Sequence, residues 1–147
     1  MQFAVKKLAF ASDHAGFDLK TDLISYASDL GLEIIDLGCE NSESVDYPDF
    51  GHKLAEYVTA NEDCFGVAIC GSGIGISIAA NRHENIRAAL CHQAELAKLA
   101  RQHNDANILA MGARFIDVKT AQDMLDMFLS TTFEAGRHEM RVQKIEN

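Results

Sequence analysis

The sequence predicts an open, doubly wound α/β sheet of five mostly parallel strands, Rossmann-like, with helices on both faces. Three observations lead there. Short apolar runs alternate with longer segments of helical period along the chain. The connections between them are short. The run FGVAIC, Phe65 to Cys70, is apolar throughout rather than alternating, as a strand covered on both faces requires. The 147 residues make a single domain, 1–147.

Leu8 to Ala11 is the first strand and stops at Ser12-Asp13-His14. Ala15 to Leu30 carries Phe17, Leu19, Leu23, Ile24 and Ala27 at helical spacing, and Gly31 closes that helix as a C-cap. Leu32 to Leu37 is the second strand, followed by a polar loop to Tyr47. Pro48, the sole proline, marks a helix start with Leu54, Tyr57 and Val58 as its buried stripe. After the third strand, Gly71 to Gly75 is a glycine-rich turn and Ile76 to Asn81 begins a helix. Ile86 to Cys91, a helix over His92 to Arg101, Ala106 to Met111 and a helix over Val118 to Phe133 complete the alternation. Glu134 to Asn147 is a polar tail, helical if Arg137 and Arg141 are to share a face.

Apolar residues make up 48% and charged residues 24%, which fits a folded globular chain and excludes disorder. Thirteen Lys and Arg against 22 Asp and Glu leave a formal charge of −9, so nucleic acid and anionic membrane surfaces are excluded as partners. A local arginine cluster can still hold a phosphorylated small molecule. Cys39, Cys64, Cys70 and Cys91 show no metal spacing and no CxxC, and read as reduced, half-buried thiols. No HxH or HExxH is present, so no metal site is expected; a histidine cluster would have to be assembled by the fold. No signal peptide or long apolar span is read, and the expected compartment is the cytoplasm.

In such sheets chemistry gathers at the carboxyl ends of the strands. Gly71-Ser72-Gly73-Ile74-Gly75 stands at one of them. It lacks the GxGxxG and Walker A registers, and is either a plain tight turn or a nest of N–H groups for an oxyanion. Cys70 beside it is either a structural thiol or one activated as base or nucleophile. Arg101-Gln102-His103-Asn104-Asp105 reads as a polar connection within reach of the fourth and fifth strand ends. Its exposed histidine either is solvated or exchanges protons near neutrality. Arg137 and Arg141 are either soluble surface or a phosphate clamp. Asp13-His14 is a hydrogen-bonded corner or part of a site. His52, His83 and His138 carry no pattern and read as surface.

Taken in order, Asp13-His14-Ala15-Gly16-Phe17, Asp46-Tyr47-Pro48, Cys70 through Asn81, Arg101 through Asn107 and Gly136-Arg137-His138 with Arg141 resemble the ribose-5-phosphate isomerase B and galactose-6-phosphate isomerase subunit family over nearly the whole chain. The resemblance implies an aldose–ketose isomerase of phosphorylated sugars without cofactor, a homodimer or dimer of dimers with clefts shared between subunits. It implies Cys70 as the base that moves a proton between C1 and C2. The loop with Gly71, Gly73 and Gly75 and the Ser72 hydroxyl would stabilise the enediolate. His103 would open the ring, with Asp13 beside the ring oxygens. Asn104 would contact a sugar hydroxyl. His14, Arg114, Arg137 and Arg141 would contact substrate and phosphate, and Tyr47 would line the pocket. The branch with a glutamate base is not matched, because Ile76-Ser77-Ile78-Ala79 holds none. Ribose 5-phosphate is the expected substrate. The alternatives are a six-carbon aldose 6-phosphate and a non-catalytic phosphosugar-binding module, the latter disfavoured because Cys70 and His103 are both present.

Overall fold

The structure is a computed structural model that describes residues 2–146. Its strands are β1 (Lys7–Ser12), β2 (Glu33–Asp36), β3 (Cys64–Cys70), β4 (Ala88–Leu90) and β5 (Ile108–Gly112). Its helices are α1 (Phe17–Asp29), α2 (Tyr47–Ala60), α3 (Ile74–Ala80), α4 (Ala94–Asn104), α5 (Val118–Ser130) and α6 (Arg137–Ile145), with a 3-10 turn over His14–Gly16 ahead of α1. The strands form one sheet in the order β2-β1-β3-β5-β4. Every pairing is parallel. The expected architecture is therefore the observed one.

Side-chain alternation divides the core in two. Leu8, Phe10, Val67, Ile69, Leu109 and Met111 point to one face, where residues of α1, α4 and α5 cover them. Ala9, Ala11, Ala68, Cys70, Ile108 and Ala110 point to the other, under α2 and α3. The alanines on that second face let α2 and α3 lie close to the sheet. All seven residues of β3 are buried, which is why its sequence shows no alternation.

Two buried cations are held by partners, as burial of charge demands. Lys20, 1% exposed, meets Asp36 at 2.7 Å, and the same carboxylate oxygen accepts from the Gly38 N–H. The Arg101 guanidinium lies 4.5 Å from the Phe65 ring centroid and donates to Asp105 Oδ1 and Ala106 O.

Three boundaries depart from the expectation. α4 runs on to Asn104, so His103 and Asn104 sit in its last turn and not in a connection. Asp105 ends that helix in the left-handed region, φ 47°, and its carboxylate pairs with Arg101 one turn back. α5 stops at Ser130, three residues early, and the tail is a helix from Arg137. The four cysteines are fully buried and free, not half-buried. Among the described residues no helix is long and apolar enough to cross a membrane.

Candidate active site

The chain order reverses direction across the sheet between β1 and β3, and the crevice above that switch point is where such folds place ligands. Ser12 pairs with Ile69 there, which sets Asp13 beside Cys70 at the carboxyl edge. A cleft of about 650 Å³ opens at this point, lined by Asp13, Tyr47, Cys70, Gly71, Ser72, Gly75 and Arg114 among others.

The glycine turn wraps the thiol. The Gly73 N–H donates to Cys70 Sγ at 3.1 Å. Gly73 has φ 78°, and a Cβ there would fall 2.7 Å from the Met111 carbonyl carbon, so only glycine fits. Gly75 lies against the Tyr47 ring, with no room for a methyl group. Among the described residues, neither the Gly71 nor the Ser72 amide has a protein acceptor. These donors are available to an oxyanion in the cleft, which is the arrangement a nest provides. The Ser72 hydroxyl accepts from the Ile74 N–H at 3.2 Å, which leaves its proton free to donate. Burial pushes Cys64 and Cys91 up to about 11, so both are neutral thiols near pH 7. Neither lines the cleft that holds Cys70.

Asp13 is buried and accepts from the Gly16 N–H at 3.1 Å, capping the 3-10 turn. His14 Nδ1 accepts from the Val45 N–H at 3.2 Å. Neutral His14 therefore carries its proton on Nε2 and presents a donor. The Arg114 N–H donates to Gly71 O at 3.1 Å, and its guanidinium lies over Gly71 at the cleft.

The remaining residues named from the sequence stand at the opposite edge. α4 returns antiparallel to the strands, so its end lies where β5 begins, and Asn107 O there accepts from the Gly66 N–H near the start of β3. Cys70 instead pairs with Gly112, the last residue of β5. At about 3.3 Å per residue, roughly 15–20 Å of sheet separates His103 from Cys70 within one subunit. The expectation that His103 reaches the carboxyl ends of the fourth and fifth strands is wrong. The segment leads from α4 into β5, and a connection into a parallel strand lies at the amino edge whether it is loop or helix.

At that amino edge His103, Asn104, Arg137 and Arg141 form a second group. Arg137 and Arg141 are exposed on one face of α6. His138, read from the sequence as surface, is buried, and its ring stacks on His103 at 4.3 Å and 14°. Glu134 Oε1 lies 3.8 Å from His103 Nε2 and 3.7 Å from His138 Nε2. His52 and His83, also read as surface, are half-buried and share a 2.8 Å contact between Nδ1 and Nε2. His138 could have been found from the sequence only by knowing that α4 and α6 touch.

His103, Glu134 and His138 bring three potential metal-ligand atoms within 4.8 Å of one another. Near-parallel rings direct their nitrogen lone pairs side by side and not at a common point, so a chelate would require one ring to turn.

A glycine turn wrapped around a buried thiol, with Arg114 at the same cleft, suits proton transfer on a small anionic compound, and fold and site together are those of an isomerase of that class. Comparison with known proteins agrees. The chain belongs to the Ribose/Galactose Isomerase family, whose model matches residues 8–145. It is 43% identical to ribose-5-phosphate isomerase B of Escherichia coli over 141 residues, 96% of this chain and 95% of that one. Among solved structures, ribose 5-phosphate isomerase B from Anaplasma phagocytophilum superposes with a TM-score of 0.94 at 53% identity, covering 99% of each chain. The enzyme from Mycoplasma genitalium with bound ribulose-5-phosphate superposes with a TM-score of 0.92 at 36% identity, over 98% of this chain and 95% of that one.

Proposed function

We propose that this enzyme interconverts ribose 5-phosphate and ribulose 5-phosphate, with each active site built from two subunits. The observation that carries the reading is Cys70 Sγ under the Gly73 N–H, at the mouth of a cleft whose Gly71 and Ser72 amides are open to a ligand. Cys70 takes the proton from C2 of the open-chain aldose and returns it to C1. The Gly71 to Gly75 turn and the Ser72 hydroxyl stabilise the enediolate between. Donors fixed before the reaction need no reorganisation as the charge develops.

A pentose 5-phosphate is mostly a closed furanose, so the carbonyl must first be freed. His103 serves as acid–base group for ring opening, with Asp13 beside the ring oxygens and Asn104 on a sugar hydroxyl. His14, Arg114, Arg137 and Arg141 contact substrate and its remote phosphate, which supplies orientation, and Tyr47 lines the pocket.

One subunit cannot assemble these parts, because the base and the ring opener lie at opposite sheet edges. A homodimer solves the problem if the amino edge of one subunit faces the cysteine cleft of the other. The rim of that cleft supports such a contact, since Ile74, Ile78 and Phe115 are 53%, 60% and 76% exposed there.

The test is steady-state turnover of ribose 5-phosphate, allose 6-phosphate and galactose 6-phosphate by the wild type and Cys70→Ala. The wild type is expected to prefer ribose 5-phosphate. The variant is expected to bind that substrate without isomerising it. Near-normal turnover by the variant, or a six-carbon preference in the wild type, contradicts the reading.

A further inference from the structure

Glu134 and His138 have no part in the scheme above, yet they are the groups that touch the His103 ring. The Glu134 N–H donates to Gln102 O at 3.1 Å, which ties the segment between α5 and α6 to the last turn of α4. His138 follows on the first turn of α6, 7% exposed, and lays its ring flat against that of His103. His103 itself is 38% exposed and so keeps an open side. A single carboxylate oxygen stands 3.8 and 3.7 Å from the two imidazoles. These are ion-pair distances, which a small side-chain shift or one water converts to hydrogen bonds.

Stacked at 4.3 Å, the two rings resist carrying charge together. The groups facing His138 decide which ring stays neutral. Burial, His103 from α4, and Arg137 and Arg141 on its own helix all hold His138 below the ordinary histidine range, against the pull of Glu134. His138 is thus the ring held neutral, and His103, on α4, is the ring with an open side. A neutral buried imidazole is a flat partner for an imidazolium formed against it.

Resting on the ring-opening role of His103, we propose that Glu134 and His138 are positioning residues for that step, the stack and the shared carboxylate together fixing the orientation of the His103 ring. In ring opening the His103 imidazolium gives its proton to the ring oxygen as the C1–O bond breaks, and the anomeric hydroxyl gives up a proton as the carbonyl forms. The neutral His103 accepts that proton through solvent, so the pair ends with the proton it began with. The carboxylate acts as one behind a catalytic histidine does, by orienting the ring and stabilising its charged form.

The test separates ring chemistry from proton transfer at carbon. Ribulose 5-phosphate cannot close a furanose, because its O5 is esterified. Exchange of its C1 hydrogen with deuterated water needs only the base and the nest, whereas net conversion of ribose 5-phosphate also needs ring opening. Glu134→Gln and His138→Ala are expected to lower net conversion about tenfold while exchange stays within about twofold of wild type. His138→Phe, which keeps a flat stacking partner, is expected to recover part of the loss seen in His138→Ala. Conversion and exchange falling together, or neither falling, overturns the proposal. His103→Asn is the control for the underlying reading. If it raises the exchange-to-conversion ratio and Glu134→Gln and His138→Ala do not, the positioning proposal alone fails. If His103→Asn leaves the ratio unchanged, the ring-opening role fails with it.

Discussion

Mixing two inactive variants tests whether the active site is shared. One variant is Cys70→Ala, which removes the base; the other is Arg137→Ala/Arg141→Ala, which removes the clamp. Within one subunit the two groups are kept apart by the length of the sheet. β3 runs from Cys64 to Cys70, about 20 Å at 3.3 Å per residue, and α6 is tied through His138 and Glu134 to the end of α4, at the far edge from Cys70. If each cleft takes its base from one subunit and its clamp from the other, random exchange of equal amounts makes half the dimers mixed. Each mixed dimer then holds one cleft with both losses and one with neither. About a quarter of all clefts are whole, so activity returns to about a quarter of wild type. If base and clamp served the same cleft from one subunit, no mixed dimer would contain a whole cleft. The assay is conversion of ribose 5-phosphate, with native mass spectrometry to prove that mixed dimers have formed. No recovery in the presence of proven mixed dimers refutes the shared cleft.

Alkylation near pH 7.5 should reach Cys70 ahead of Cys64 and Cys91, and substrate should slow it, because those two, at about 11, remain neutral thiols; peptide mapping that finds either of them modified first contradicts this. Gly73→Ala forces an alanine to φ 78° and drives a Cβ onto the Met111 backbone. It should cost about 1–3 kcal/mol in denaturant unfolding and abolish turnover, and an unchanged midpoint with normal activity counts against the nest. Burial and the Asp126 carboxylate push Tyr26 from 10.0 up to about 12. The fold favours the neutral phenol, so its contribution is whole below pH 10.0 and is lost as the pH rises toward about 12. Tyr26→Phe should therefore show a shallower alkaline fall in melting temperature, and a parallel fall would refute the assignment.

Much of this was legible in the residues. FGVAIC has no polar alternate because β3 is covered on both faces, and the glycines after it announce a turn no other residue could make, as Gly73 bears out. The order of motifs led to the family, and the strand-end rule brought Asp13, Cys70 and Ser72 to one crevice. These features are local, or follow from a connection of one hand, so they can be read along the chain.

What the sequence could not disclose concerns pieces distant in order and near in space. A run as polar as Arg101 to Asp105 looks like a loop, and only burial of Arg101 against Phe65, with its bond to Asp105, shows that it completes a helix. Loop or helix, a segment that leads into β5 lies at the edge where β5 starts, opposite Cys70, and that is where His103 and Asn104 stand. His138 seemed featureless for a related reason. Its environment comes from α4, and the short-range pattern of the tail carries no trace of it. Periodicity and turn chemistry are properties of neighbours along the chain, and they determined the fold class. The extension of α4 to Asn104, the burial of Arg101 and His138 and the stacking of His138 on His103 are properties of packing, and only the tertiary structure decided them.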